Sequence, residues 1–391
     1  MKNKIFNFTI ILVLVMILLL PIVIADEFGI GLSDEITISS IDPSRYYDSK
    51  PCIWGDYVVW RRAINQNGNS VIELSEPSWI MLHNYNTGKT LNITAENKQF
   101  EEGIYYHAQS PDIWNGKIIY EAQGSANSYD TRLYMYNITS KDTWEIPLKS
   151  SEYSHGHLHL IYNDWIVYTN IENDKRQAYL YNYVDGIYRT IVGKGENYTV
   201  YGLAMDSKNI VISCLNETNV YSIKIYNIFT TITESVNYTG NYSKIIGTSV
   251  YNGNVAISVY EENQWNTYLY NINQREFAVK YENTYGMLIW DNNVVYKSNN
   301  TIYFETLDNK TAIPLGNNQY IGDIYGDVIV WMSNENSGVF TGDARDDFDI
   351  YIRTVLPSED IIKSNLVFLI IIGIIIVVIV VVRRSNFSGM S

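Results

Sequence analysis

From about residue 45 to residue 356 the chain repeats one pattern. A turn pair such as Gly-Asp or Asn-Gly leads into a short Val/Ile run that ends in an aromatic residue. The clearest copies are Trp54-Gly55-Asp56-Tyr57-Val58-Val59-Trp60, Trp114-Asn115-Gly116-Lys117-Ile118-Ile119-Tyr120 and Tyr162-Asn163-Asp164-Trp165-Ile166-Val167-Tyr168, which align without gaps. Weaker copies begin at Met205 and Tyr251, and two better ones at Trp290 and Tyr325. Short β-branched runs bounded by turn chemistry predict strands joined by tight hairpins. A second strand follows in register, written Tyr134-Met135-Tyr136-Asn137, Tyr179-Leu180-Tyr181-Asn182, Lys224-Ile225-Tyr226-Asn227 and Tyr268-Leu269-Tyr270-Asn271, and reduced to Leu82-His83-Asn84 in the first unit. Asn86-Thr87-Gly88, Asp185-Gly186 and Asp308-Asn309 come next, where positive φ is needed at a hairpin tip.

The anchors at 54, 114, 162, 205, 251, 290 and 325 are spaced on average about 45 residues apart, the length of a four-stranded propeller blade. A small sheet with apolar residues on both faces buries them only against a neighbour on each side, and a closed ring satisfies every unit. The predicted fold is therefore an all-β propeller, with seven blades preferred and six as the alternative. The 34 Tyr and 9 Trp provide flat side chains to fill the wedges between blades. The last unit has its Asp349-Ile350-Tyr351-Ile352 strand and then runs through Pro357, which leaves it short of an outer strand. Glu35-Ile36-Thr37-Ile38-Ser39 alternates with period two and is expected to pair with that unit and close the ring.

The combination of Gly-Asp-x-Val-Val-Trp with Asp-Ile-Tyr and Asn-Thr-Gly resembles TolB-like, WD-like propeller repeats of the archaeal cell-surface type. Units one, two, three and seven carry it best, including Asp349-Ile350-Tyr351 and Asn86-Thr87-Gly88, while units four to six keep the apolar pattern and lose signature positions. The resemblance spans nearly all of the segment between the termini. It implies architecture and a surface setting, and it assigns no activity.

Both ends carry targeting signals. Lys2 and Lys4 precede an apolar run from Ile10 to Leu20, followed by Pro21 and Ala25, the layout of a secretory signal peptide over 1–25, with an uncleaved anchor as the alternative. Leu366–Val382 is unbroken and apolar and is followed by Arg383 and Arg384, which predicts one transmembrane helix with the arginines inside. The expected order is a signal peptide (1–25), an extracellular propeller (26–356), a stalk (357–365), the membrane helix (366–382) and a cytoplasmic tail (383–391).

A net charge of −14 without a Lys/Arg cluster argues against nucleic acid as a partner. The expected partners are the membrane, through the C-terminal helix, and an extracellular protein or glycan. Cys52 and Cys214 fall in units one and four, too far apart in a ring to bridge. Gly-x-Ser-x-Gly, phosphate-loop, His-Glu-x-x-His and Cys-x-x-Cys signatures are absent, and the sequence leaves any cofactor unknown.

Three sets of residues are candidates for chemistry. His155, His157 and His159 alternate along one strand face, with His107 equivalent in unit two, and such a set suits a transition metal. The alternative is imidazoles facing a solvated channel. Asp343, Asp346, Asp347 and Asp349 form an acidic run suited to calcium, or to an exposed turn, without the glycine and terminal glutamate of an EF-hand. Asn92, Asn137, Asn197, Asn216, Asn237, Asn241, Asn299 and Asn309 begin glycosylation sequons. Function is read as a membrane-anchored binding or structural propeller, with a metal-dependent polysaccharide lyase or hydrolase as the rival.

Overall fold

The Val/Ile runs form strands whose successive residues face opposite apolar layers. The computed structural model describes residues 31–33, 35–39, 46–64, 77–97, 107–124, 131–148, 158–172, 175–192, 198–299, 301–308, 312–317, 319–333 and 349–356. The strands are β1 (Gly31–Leu32), β2 (Ile36–Thr37), β3 (Tyr46–Trp54), β4 (Tyr57–Ile64), β5 (Ser78–Asn84), β6 (Lys89–Asn92), β7 (His107–Trp114), β8 (Lys117–Gln123), β9 (Thr131–Asn137) and β10 (Thr143–Glu145). They continue as β11 (His159–Tyr162), β12 (Trp165–Glu172), β13 (Lys175–Asn182), β14 (Ile187–Val192), β15 (Tyr198–Met205), β16 (Asn209–Asn216), β17 (Tyr221–Asn227), β18 (Thr233–Val236), β19 (Lys244–Tyr251) and β20 (Asn254–Glu261). The set ends with β21 (Gln264–Asn271), β22 (Glu276–Tyr281), β23 (Thr284–Trp290), β24 (Asn293–Ser298), β25 (Thr301–Thr306), β26 (Ile313–Asn317), β27 (Gln319–Tyr325), β28 (Val328–Ser333) and β29 (Asp349–Leu356).

Consecutive strands pair antiparallel into four-stranded meanders, β11–β14, β15–β18, β19–β22 and β23–β26. The meanders β3–β6 and β7–β10 are joined into one sheet by a single parallel bridge, Ser78 to His107. The chain divides into two compact units, Glu35–Ile352 and a pair of terminal segments, Met1–Asp34 with Arg353–Ser391. In the terminal unit, β1 pairs with the end of β29, Gly31 opposite Leu356 and Leu32 opposite Val355.

Within Glu35–Ile352, the first strands of the meanders neighbour one another in chain order, from β3 through β7, β11, β15, β19 and β23 to β27, and β27 meets β3 again. Between neighbouring sheets lie shared apolar layers. Val58 packs with Trp60, Val330 and Ile350, while the next residue, Val59, packs with Ile80, Ile113 and Ile118. Ile118 and Ile119 divide in the same way between two layers, as do Ile166 and Val167, and Ile210 and Val211. This is why the runs are continuously apolar instead of alternating: both faces of each sheet are buried.

The expected closing strand is present. β2 pairs with β29, Ile36 opposite Ile352 and Thr37 opposite Tyr351, and Ile38 N–H donates to the Ile350 carbonyl at 2.9 Å. Ser39 Oγ accepts from Ile350 N–H at 2.7 Å, so the register extends over the predicted segment.

The recurrent Asn of Tyr-x-Tyr-Asn is a turn cap. Its Oδ1 accepts from backbone N–H groups two or three residues on, as in Asn84 to Thr87, Asn137 to Thr139, Asn182 to Asp185, Asn227 to Thr230 and Asn271 to Gln274. The residue four positions on has positive φ: Gly88, Lys141, Gly186, Thr231 and Arg275. The first unit, whose Leu82-His83-Asn84 reads as degenerate, builds the same turn as the others. Among the described residues no helix is long and apolar enough to cross a membrane, and residues 1–25 and 366–382 lie outside them.

Candidate functional site

Each inner strand ends on its anchor residue, and the alternation of a β-strand sorts the last three positions. The penultimate residues Ile53, Ile113, Ile161, Ala204, Val250, Ile289 and Ile324 are all buried. The anchors Trp54, Trp114, Tyr162, Met205, Tyr251, Trp290 and Tyr325 are half-buried, as are the residues two before them, Cys52, Asp112, Leu160, Leu203, Ser249, Leu288 and Asp323. Anchor and minus-two residue therefore share a strand face. Most of these positions line a central cavity of about 160 Å³ to which all the inner strands contribute.

The anchors meet at one mouth of this cavity. Trp114 stacks on Tyr162 with ring centroids 3.7 Å apart, lies 5.9 Å from Trp290 and meets Tyr325 edge-on at 6.1 Å. Trp290 lies 4.5 Å from Tyr325 and 4.7 Å from Tyr251, and Trp54 meets Tyr325 at 6.1 Å. The two-residue turns behind the anchors carry the needed left-handed backbone at Gly55, Asn115, Gly116, Asn163, Asn252, Gly253, Asp291 and Gly326. Sequence repetition thus places the same residue of each unit in one aromatic rosette.

Below the rosette, the polar minus-two side chains tie several of the inner strands to their neighbours. Asp112 Oδ2 accepts from Ile161 N–H at 2.7 Å, Ser249 Oγ from Ile289 N–H at 3.1 Å, and Asp323 Oδ2 from Ile53 N–H at 3.0 Å, which carries the series from β27 back to β3. Both aspartates touch the cavity but lie deep in the molecule. Burial pushes the Asp112 carboxyl up to about 7, reinforced by the charge of Asp323 and opposed by the N–H groups of Ile161 and Ile113. Burial likewise raises Asp323 to about 6. Cys52, under the influence of both carboxylates, is a free thiol whose pKa burial pushes well above its ordinary value, which makes it a poor nucleophile. Cys214 is a free thiol buried in β16.

Of the candidate metal ligands, His107 and His159 begin the adjacent inner strands β7 and β11 and are both buried, and His159 Nε2 lies 2.5 Å from the Ser110 carbonyl oxygen. His155 and His157 lie outside the described residues. Among the described residues no three His, Cys, Asp or Glu side chains cluster as metal ligands do. Asp349 opens β29, and Asp343, Asp346 and Asp347 lie outside the described residues. Among the sequons, Asn237, Asn241 and Asn299 are exposed, Asn92, Asn137 and Asn216 are half-buried strand ends, and Asn197 and Asn309 lie outside the described residues. His83 is buried beside Trp60 and shares a hydrogen bond with Thr90 Oγ1 at 2.8 Å.

Sequence reading used the anchors to count repeats and assigned aromatic residues to packing between blades, so it missed the rosette and its aspartates. The signal was present in Asp112-Ile113-Trp114 and Asp323-Ile324-Tyr325, where period two puts the carboxylate on the face of the aromatic.

No protein-family model matches the chain, and no curated protein matches it in sequence. Solved structures do. A prolyl endopeptidase superposes over 81% of this chain and 51% of its own, at 8% identity and a TM-score of 0.54. The acylaminoacyl peptidase of Pyrococcus horikoshii superposes over 83% of this chain and 55% of its own, at 10% identity and a TM-score of 0.52. The chain spans about half the length of these two peptidases, and at such identities the likeness concerns fold alone. TolB from Acinetobacter baumannii matches over 77% of this chain and 80% of its own, at 11% identity and a TM-score of 0.41. With sheets packed face to face around a ring of inner strands, the chain is a β-propeller.

Proposed function

We propose that this protein is a seven-bladed propeller of the cell surface, delivered by residues 1–25, tethered by Leu366–Val382, and working as a binding module through the aromatic mouth of its channel. The observation that carries the reading is the rosette. Loops and strand ends on one face of a propeller are where its repeats can present chemistry together, and here six of seven anchors are aromatic, half-buried and directed to one opening. Wide amphipathic rings of this kind are the residues that dominate recognition energetics elsewhere. The partner sought is an extracellular protein or glycan, and exposed sequons such as Asn237 and Asn241 would place glycans on the same outer compartment.

The test uses the full-length chain in intact cells. Protease added outside is expected to remove the propeller and leave the membrane helix cell-associated. Surface partners cross-linked to the wild type are expected to be lost in a Trp114→Leu/Trp290→Leu variant that still reaches the surface. A propeller shielded from external protease, or a partner set unchanged by the variant, would overturn the reading.

A further inference from the structure

Two neighbouring hairpins carry apolar residues where the others carry polar ones. We infer that the tips of β13–β14 and β17–β18 dock on a lipid bilayer and lay the rosette face of the propeller on the membrane; this rests on Leu366–Val382 being the tether of the proposed function.

The five turns that begin on the Asn cap of Tyr-x-Tyr-Asn or its degenerate copy align residue by residue. Two and five positions after that Asn stand Asn86 and Lys89, Thr139 and Asp142, and Asn273 and Glu276, all exposed. In the other two turns the same positions hold Val184 and Ile187, and Phe229 and Ile232. These four are exposed as well, Phe229 to 70% and Val184 to 66%. Single exposed apolar residues are ordinary, but four on equivalent positions of adjacent hairpins call for a partner. Arg189 Nη1 of β14 donates to the Ile228 carbonyl at 2.5 Å, which holds the two tips side by side.

The tips suit a medium without water. Asn182 Oδ1 accepts from Val184 N–H at 3.0 Å and Asp185 N–H at 2.9 Å, and Asn227 Oδ1 accepts from Phe229 N–H at 3.1 Å and Thr230 N–H at 2.9 Å. The Asn182 and Asn227 carbonyls accept from Gly186 and Thr231 N–H, both at 2.9 Å. Backbone already bonded within its own turn gives up little to enter lipid. Ile228-Phe229-Thr230-Thr231-Ile232 holds no charge, so Phe229 goes deepest, while Asp185 keeps the other tip among the headgroups.

The occupant follows from where the chain leaves the ring. Tyr183 N–H donates to the Asp164 carbonyl and Ile228 N–H to the Lys208 carbonyl, so the tips lie on the face of the anchor turns and the rosette. β29 runs toward this same face: Tyr351 stacks on Trp331 as Tyr134 does on Tyr120 and Tyr179 on Tyr168, and in those sheets the strand leads into the Asn-capped turn. It ends at Leu356, ten positions before Leu366. Ten residues reach at most about 35 Å. β29 belongs to the sheet of β27, and in ring order β11 and β15, the inner strands of the two tip-bearing sheets, lie opposite β27. Tether and tips thus hold one face at two separated points, and the mouth opens on the membrane, where its partner must be presented. A second copy is the poorer occupant, because Asp56, Asp164, Asp185, Asp291 and Asp327 are exposed on this face and repel their like. The same charges make a zwitterionic bilayer the surface of choice.

The test reconstitutes the full-length chain into phosphatidylcholine vesicles whose acyl chains are brominated and reads tryptophan quenching. Phe229→Trp puts a reporter on the tip. Val220→Trp puts one on the turn between β16 and β17 of the same sheet, at a residue 51% exposed on the opposite face. Both variants should keep the wild-type unfolding midpoint, and flotation with the vesicles checks the tether separately. The tryptophan added at 229 is expected to be quenched at least threefold more than the one added at 220. Equal quenching of the two in floating vesicles would overturn the inference and leave the tether standing. Failure to float would overturn the tether and the inference together. A concentration-dependent dimer that Phe229→Ser abolishes, without lipid quenching at 229, would give the patch to a second copy and overturn the inference.

Discussion

Asp112→Asn tests whether the channel carboxylates hold protons in the folded chain. The folded Asp112 carboxyl titrates near 7, against an ordinary 3.8, and Asp323 near 6. A raised folded pKa means that the native state binds protons more tightly than the unfolded chain. The associated stability is therefore fully present below about pH 4 and is lost as pH rises through 6 and 7. At about 1.4 kcal/mol per pH unit, the Asp112 difference corresponds to at most ~4 kcal/mol and the Asp323 difference to ~3 kcal/mol, upper bounds because both groups touch channel water. Between pH 5 and pH 8 the wild type should lose about 2–4 kcal/mol. Glu261, held low by the hydroxyls of Tyr238 and Tyr268, the Asn266 amide and Lys280 against the opposing effect of burial, works in the other direction, and its contribution is lost only as pH falls below about 4.5.

Asparagine at 112 can still accept from Ile161 N–H through its amide oxygen. It cannot ionise, so at pH 8 the variant should be at least as stable as the wild type and its slope between pH 5 and 8 should fall by half or more. The assay is guanidinium denaturation of the full-length chain in detergent, followed by tryptophan emission at pH 5, 6, 7 and 8. Equal wild-type stability at pH 5 and 8 would show that both aspartates are ionised in the fold, an unchanged slope in Asp112→Asn would show that Asp112 is, and either would refute the reasoning.

Three further outcomes are expected in the same denaturation assay. Thr231 holds φ of 58° at a hairpin tip, where a β-branched residue is strained, and Thr231→Gly should stabilise by about 0.5–1 kcal/mol, while a loss of stability would mean the turn does not need left-handed backbone. A Cβ on Gly322 would stand 2.5 Å from Pro51 Cγ and 2.9 Å from two backbone oxygens, so Gly322→Ala should cost about 2 kcal/mol or more, and a neutral result would mean that β27 and β3 are not in contact. Ser39→Ala removes the acceptor for Ile350 N–H and should cost about 1–2 kcal/mol, whereas no change would argue that residues 35–39 do not close the ring.

The sequence by itself determined the strands, the hairpins and the repeat. Apolar runs such as Val58-Val59, bounded by turn pairs with positive φ, can only be strands buried on both faces, and a spacing near 45 residues fits only units that stack on one another. The alternation in Glu35–Ser39 was enough to foresee the strand that pairs with β29, because an unpaired sheet edge demands a partner. These are local properties, and each is written within a few residues.

The candidate site was not local in that sense. Trp54, Trp114, Tyr162, Tyr251, Trp290 and Tyr325 are tens of residues apart, and only ring closure turns equivalent positions into neighbours, so the same repetition that revealed the fold hid the mouth as mere periodicity. Asp112 and Asp323 look like ordinary solvated aspartates until the ring buries them on either side of Cys52 and sets their carboxyls within reach of each other's charge. Covalent order fixes which residues form strands; convergence, burial and the resulting electrostatics depend on distances that exist only once the last inner strand meets the first.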